Sequence, residues 1–529
     1  MLNDRSIRLL LAIAVCVAFN AAITLQNAWP TLWAIPGTAI SVELLILLAV
    51  SALYMERRRA IGGAVAWSMA AVLFLLIAGR YAAVTSHSLF GRPINLFFDL
   101  PHLPQVAAMT AGARSPIKVA FLAAAGLTLL TGTLLSVRWG IGIVAQALSD
   151  RAVRRPAGVM AAAGILLFFA TSMPLLQRLE PLFAHPVSPV YLRQAGFLVE
   201  AVAGTGDAAF ASQPAATVEI GALNGADVFV FFLESYGEAA YRLPEVAGDI
   251  RARVREAERV LRGKGWHMAS GFFQSPTFGG GSWLAHASFL AGVTVLENRD
   301  YELLLSGNRS TLVREFAKAG YRTVALMPGL KLAWPEGSFY GFDAIYDAAT
   351  LDYGGPAFGW WMIPDQFTLG RLDERELRAP GRKPLFVVWP TIMSHMPFSP
   401  VPAYLPDWSK ALDPAAYVQT AGRPAALGDW TEARNSYRSA MIYNLDMVEG
   451  FLAERAPASA LVVALGDHQP PGLVSGAGAS WLVPVHVFSR DGSRIAAFRE
   501  AGLKDGLVPS GADLGDFAAL HHKFAKALK

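Results

Sequence analysis

Five long apolar runs, at about 7–25, 32–54, 62–84, 118–136 and 157–177, crowd the first part of the chain. A helix needs about 20 apolar residues to cross a bilayer, so each run predicts a transmembrane helix. The fourth has room to continue to 147. Read alone, the first run would also suit a signal peptide; four further spans close behind it favour a retained helix.

From about 205 the pattern changes. Short continuous apolar runs, 227–233 (DVFVFFL), 322–327 (RTVALM), 384–391 (PLFVVWPT), 460–465 (ALVVAL) and 483–488 (VPVHVF), read as strands buried on both faces. Helical patterns lie between them near 246–263, 282–291, 308–319 and 432–454. This alternation predicts an α/β domain with a mostly parallel central sheet and helices on both sides. The chain then divides into a five-helix transmembrane domain (1–180), a linker (181–220) and an extracytoplasmic domain (221–529).

Basic residues set the orientation. Arg5, Arg8, Arg57, Arg58, Arg59, Arg138, Arg151, Arg154 and Arg155 fall on one side, and Arg80, Arg92, Arg114 and Lys118 on the other. Nine against four places the N-terminus inside, and an odd number of spans places everything after 178 outside the cytoplasm. The Ala- and Arg-rich composition points to a bacterial inner membrane, with the second domain in the periplasm. The connection 85–117 mixes apolar and polar residues, and suits either an interfacial segment that receives a lipid head group or a plain amphipathic loop.

Composition sharpens this picture. Hydrophobic residues make up 53% and charged residues 16%, against about 25% charged in soluble domains. A net charge of +4 without basic-aromatic clusters argues against nucleic acid as a partner. Cys16 is the one cysteine, so a disulfide framework and a cysteine zinc site are both excluded, and a metal would need O and N ligands.

In parallel α/β folds, ligands bind beyond the carboxyl ends of the strands. There the chain reads Glu234-Ser235-Tyr236-Gly237, Ser394-His395-Met396-Pro397-Phe398 and Gly466-Asp467-His468-Gln469, and Gly279-Gly280-Gly281-Ser282 opens a helix. Glu234, Asp467 and His468 supply oxygen and imidazole ligands suited to Zn²⁺ or Mn²⁺. The glycines allow close backbone approach, and the helix N-terminus favours an anion. Ser282 offers a nucleophilic hydroxyl, and His395 a proton donor or a ligand for substrate oxygen. Each has a plainer reading: a helix cap for Glu234, a flexible turn for the glycines, a loop histidine for His395. Their joint position at strand ends of one domain argues for a site.

The runs DVFVFFLESYG, GGGSWLAH, SHMPF and GDHQ resemble, in this order, the signature of lipoteichoic acid synthases. More distantly they resemble bacterial phosphoethanolamine transferases, within the sulfatase (alkaline phosphatase) superfamily. The resemblance implies five transmembrane helices followed by a sulfatase-like domain. It implies one divalent ion, Mn²⁺ or Zn²⁺, held by Glu234, Ser282, Asp467 and His468. It further implies that Ser282 takes a phospho-head-group, phosphoglycerol or phosphoethanolamine, from a phospholipid donor and passes it to a glycan or lipid acceptor.

The chain departs from the family at several points. Serine stands where the family has threonine, and Thr277 is the competing hydroxyl. The head-group region reads Met327-Pro328-Gly329-Leu330-Lys331 and Ala333-Trp334-Pro335-Glu336, leaving Lys331 and Trp334, with His395 and His486, as substrate-binding candidates. Glu336 replaces an arginine and could meet an ammonium group. A formylglycine motif is absent, and Thr391-Ile392-Met393-Ser394-His395 lacks the aspartate of a two-metal site. His486 also reads as a core histidine, Tyr437, Tyr443 and Asp446 as a packed helix face, Asp365 as a helix cap, and His521-His522 as a solvated helix end. Water as final acceptor (a hydrolase) and a non-catalytic sensor are the alternatives.

Overall fold

The structure is a computed structural model that describes residues 4–28, 32–58, 60–90, 116–203, 218–331, 336–358, 363–420 and 430–529, with Ile94, Phe210, Gln213 and Trp334 besides. The chain forms two compact units, the first comprising Met1–Ser88 and Pro93–Val202, the second Leu89–Arg92 and Ala203–Lys529.

The first unit holds five apolar helices: Asp4–Ile23 (α1), Val42–Arg58 (α2), Gly63–Phe90 (α3), Pro116–Leu148 (α4) and Arg151–Ala170 (α5). Four of them contain segments long and apolar enough to cross a membrane: Arg5–Ile23, Gly63–Ser88, Ala123–Leu148 and Arg151–Ala170. With 17 residues, α2 is at the short end of the range of about 17–25 for a span. It also begins later than the apolar run at 32–54 predicts. Ala34–Ile35 (β2) instead pairs antiparallel with Gln26–Asn27 (β1), Pro36 disfavours helix in the residue before it, and Ser41 caps the helix by accepting from Leu44 N at 3.3 Å. The fifth helix starts at Arg151, where the Asp150 side chain accepts from Ala152 N, and ends at Ala170 rather than near 177. Apart from Ile94, the part of the 85–117 connection between residues 91 and 115 lies outside the described residues.

The stretch read as a linker carries a helix, Ser188–Ala203 (α6). Its start is held by the Glu43 carboxylate, which accepts from Val187 N at 2.5 Å and Ser188 N at 3.2 Å. Tyr191 donates its hydroxyl to Leu75 O at 2.6 Å. A carboxylate at a helix N-terminus satisfies amides that have no partner within the helix.

The second unit is built on a nine-stranded sheet in the order β10-β4-β9-β8-β3-β7-β5-β6, with β11 on β4. The strands are Val228–Leu233 (β3), His267–Gln274 (β4), Arg322–Met327 (β5), Ala344–Asp347 (β6), Leu385–Pro390 (β7), Leu461–Gly466 (β8), Leu482–Ser489 (β9), Lys504–Asp505 (β10) and Asp513–Asp516 (β11). β3 lies parallel between β7 and β8, and β5 and β6 extend the parallel part. β9 pairs antiparallel with both β8 and β4. The sheet is therefore mostly parallel, as the alternation predicts, with an antiparallel flank. Four strands, β4, β6, β10 and β11, were not predicted. β4 reads HMASGFFQ, where Ser270 and Gly271 interrupt the apolar run, so no continuous signal marks it.

Alternate residues of β3 feed two cores. Val228, Val230 and Phe232 pack with Ser282–Ala291 (α7) on one face. Phe229, Phe231 and Leu233 pack with the helices Pro244–Gly263 and Trp430–Glu454 on the other. The strand's side chains are at most 2% exposed, and each phenylalanine stabilises the fold by about 1.5–3 kcal/mol. Such a strand is rigid, and its carboxyl end fixes the position of Glu234.

Candidate active site

Three parallel strands end side by side. Phe232 is in register with Pro390, and Leu233 with Gly466, so Glu234 and Asp467 emerge at one level and Thr391 one residue behind them. Glu234 N donates to Thr391 Oγ1 at 3.0 Å, and its carbonyl accepts from Ser394 Oγ at 2.7 Å. Asn444 Nδ2 donates in turn to Ser394 Oγ at 2.8 Å. Ser235 turns into the left-handed region (φ 59°), which aims its amide at Asp467 Oδ1, 2.8 Å away. His468 N donates to the same oxygen at 2.7 Å.

The glycine turn brings in the hydroxyl. Gly279, Gly280 and Gly281 all have positive φ (68°, 147° and 74°), a conformation that costs other residues free energy. Gly279 N donates to Gln469 O at 3.1 Å, fastening the turn beside Asp467-His468. Ser282, the first residue of α7, then donates its hydroxyl to Glu234 Oε2 at 2.9 Å and lies 3.1 Å from His468 Nε2. Thr277 is 1% exposed and gives its hydroxyl to Gly280 O, so it locks the turn.

His468 Nδ1 lies 2.7 Å from Gln469 O. A carbonyl only accepts, so Nδ1 carries a proton, and Nε2 faces Ser282 Oγ and Glu234 Oε1, the latter at 3.3 Å. Glu234, Asp467 and His468 are all buried, with donor atoms within 4.8 Å of one another. Burial pushes the Asp467 carboxyl well up, and the neighbouring Glu234 charge adds to this. Burial also opposes the Glu234 charge, but the His468 cation outweighs it and holds that carboxyl well below its usual range. Burial disfavours the His468 cation, yet Asp467 and Glu234 raise it to about 9. Two buried carboxylates thus demand positive charge between them. The oxygen-and-imidazole donor set fits Mn²⁺ or Zn²⁺, and Asp467 Oδ2 is buried without a hydrogen-bond partner.

No family model and no curated protein matches the chain. Solved structures do. The integral membrane lipooligosaccharide phosphoethanolamine transferase A (EptA) of Neisseria meningitidis is similar over 98% of this chain and 95% of its own, at 12% identity and a TM-score of 0.47. The lipoteichoic acid synthase LtaP of Listeria monocytogenes is similar over 51% of this chain and 68% of its own (16% identity, TM-score 0.35). The periplasmic domain of EptC from Escherichia coli, in complex with Zn, is similar over 58% and 84% (16% identity, TM-score 0.39).

The structure brings together Glu234, Ser282, Asp467 and His468. His395 lies near enough for its charge to favour the Glu234 carboxylate, and its Nδ1 is 2.8 Å from Met396 O. Trp334 stacks on Tyr340 with ring centroids 5.7 Å apart, and Lys331 is exposed just after β5.

Three expectations are corrected. His486 is 4% exposed and has both ring nitrogens engaged, Nδ1 by Ser270 Oγ at 2.7 Å and Nε2 by Tyr236 OH at 3.0 Å. It is a core histidine, with no nitrogen left for substrate. Asp365 does not cap its own helix: it accepts from Ile392 N at 3.0 Å and Met393 N at 2.9 Å. His521 is buried, with Nδ1 2.7 Å from Phe289 O, while His522 is exposed.

One residue was missed. His286 follows Ser282 by four and so shares its helix face. Its Nε2 lies 4.0 Å from Asp467 Oδ2. Four-residue spacing was the available signal, and the sequence GGGSWLAH contains it.

Proposed function

We propose that the chain is a membrane-anchored phosphotransferase that moves a phosphoglycerol or phosphoethanolamine head group from a phospholipid, through a covalent Ser282 intermediate, to a periplasmic glycan or lipid. The observation that carries this reading is the Ser282 hydroxyl held 2.9 Å from Glu234 Oε2 and 3.1 Å from His468 Nε2, beside a second buried carboxylate, Asp467. The ordered motif resemblance supplies the donor and acceptor classes. The arginine distribution supports a cytoplasmic N-terminus and a periplasmic catalytic unit.

Glu234, Asp467, His468 and Ser282 would hold one divalent ion, which would supply Lewis acidity to the serine oxygen and positive charge to phosphoryl oxygens. The Ser282 hydroxyl loses its proton to solvent as its oxygen attacks phosphorus. The bond from phosphorus to the diacylglycerol oxygen breaks, and that oxygen leaves with the electron pair and takes a proton from His395. Backbone amides at the start of α7 stabilise the charge on the non-bridging oxygens. An acceptor hydroxyl then attacks the same phosphorus and frees Ser282.

Peptide mass spectrometry on the detergent-purified chain, incubated with mixed phospholipids and Mn²⁺ or Zn²⁺, tests this. A head-group mass on the Ser282 peptide, absent in Ser282→Ala, is expected, and its size names the donor. An adduct on Thr277 with Ser282 unmodified would overturn the assignment. Free head-group phosphate released without any acceptor would favour the hydrolase.

A further inference from the structure

Two buried polar atoms beside the site have no hydrogen-bond partner, and they face each other. Asp467 Oδ2 and His286 Nε2 are both solvent-inaccessible and unpartnered, 4.0 Å apart. Asp467 is 0% and His286 16% exposed at the side chain. The other Asp467 oxygen already accepts two amides, from Ser235 and His468. Leaving a buried donor or acceptor unsatisfied costs about 1–3 kcal/mol each, so pairing these two removes two penalties at once. The His286 ring lies on Phe232, centroids 4.3 Å apart, and Phe232 belongs to the rigid central strand. Its reach towards Asp467 is therefore set by the sheet.

We infer that His286 is a positioning residue: its Nε2–H is the donor that orients the free oxygen of Asp467 when the site is loaded. A single ion shared as a common ligand fits less well. Two ligand atoms at about 2.1 Å from one ion are at most about 4.2 Å apart, so a 4.0 Å separation would force them nearly opposite. A shift of about 1 Å, by contrast, brings nitrogen and oxygen to hydrogen-bond distance. Ligating carboxylates are commonly held by such donors, whose loss weakens metal binding by about 10–100-fold. The inference rests on the metal-dependent reading above.

The test is Mn²⁺ titration of the full-length purified chain, with free Mn²⁺ followed by electron paramagnetic resonance, for wild type, His286→Phe and His286→Gln. Phenylalanine keeps the ring on Phe232 and removes the donor; glutamine restores an N–H at similar reach. The expected result is one tight site in wild type, affinity about 10–100-fold weaker in His286→Phe, and most of it regained in His286→Gln. Equal affinity in wild type and His286→Phe overturns the inference while leaving the metal reading intact. A loss that glutamine does not rescue also overturns it, because the ring and not its N–H is then what matters. No Mn²⁺ or Zn²⁺ binding by wild type defeats the metal reading itself.

Discussion

At the residue scale, buried imidazoles carry distinct duties. His468 sits between two carboxylates and is raised to about 9. His521, pressed against Phe289 O, is lowered by burial to about 4 from an ordinary 6.5. Between those two values the unfolded chain binds a proton that the folded chain refuses. Stability from His521 is therefore full above about pH 6.5 and is lost as pH falls towards 4. The loss amounts to about 3 kcal/mol. His521→Gln should flatten this acid limb, seen as a smaller drop in melting temperature from pH 7 to pH 5 than in wild type. At Ser282, substitution by Thr should keep the covalent adduct and substitution by Ala should abolish it, since only the hydroxyl takes part in bond making.

At the element scale, the segment after β7 explains how the site is kept in place. It supplies Thr391, Ser394 and His395, and it is pinned by the buried Asp365 carboxylate through the amides of Ile392 and Met393. Asp365→Ala orphans both amides and should destabilise the protein by about 2–5 kcal/mol. Asp365→Asn keeps one acceptor and should cost less; comparative thermal melts check the order. The end of β8 has its own constraint, because a Cβ on Gly466 would lie 1.8 Å from Tyr236 O. Gly466→Ala must displace either the Ser235-Tyr236 turn or Asp467. Metal affinity and activity should both fall, measured on the same preparation. The strands bearing Glu234 and Asp467 were legible because central parallel strands are apolar without interruption. β4 was not, because its Ser270 is made acceptable only by His486 and Gly506 O, 216 and 236 residues away along the chain.

At the scale of the whole molecule, the chain pairs a bundle of apolar helices with an α/β unit. The orientation proposed from the arginines has a direct check. With Cys16 replaced, a cysteine in place of Lys529 should react with a membrane-impermeant maleimide added to spheroplasts, without lysis. Labelling only after lysis would place the α/β unit in the cytoplasm and remove periplasmic acceptors from consideration.

Local pattern was enough for the five apolar helices, the central strands and the order of candidate ligands along the chain. Hydrophobic period, glycine punctuation and short motifs act over a few residues, so they are written where they operate. Tertiary structure gave the Thr277 hydroxyl to Gly280 O and set the Ser282 hydroxyl between Glu234 and His468. It also turned β9 antiparallel, closed His486 and His521 into the core, and set His286 against Asp467. Each of those outcomes depends on which distant backbone or side-chain group is left to satisfy a buried polar atom. That balance exists only once the sheet has brought the strands together.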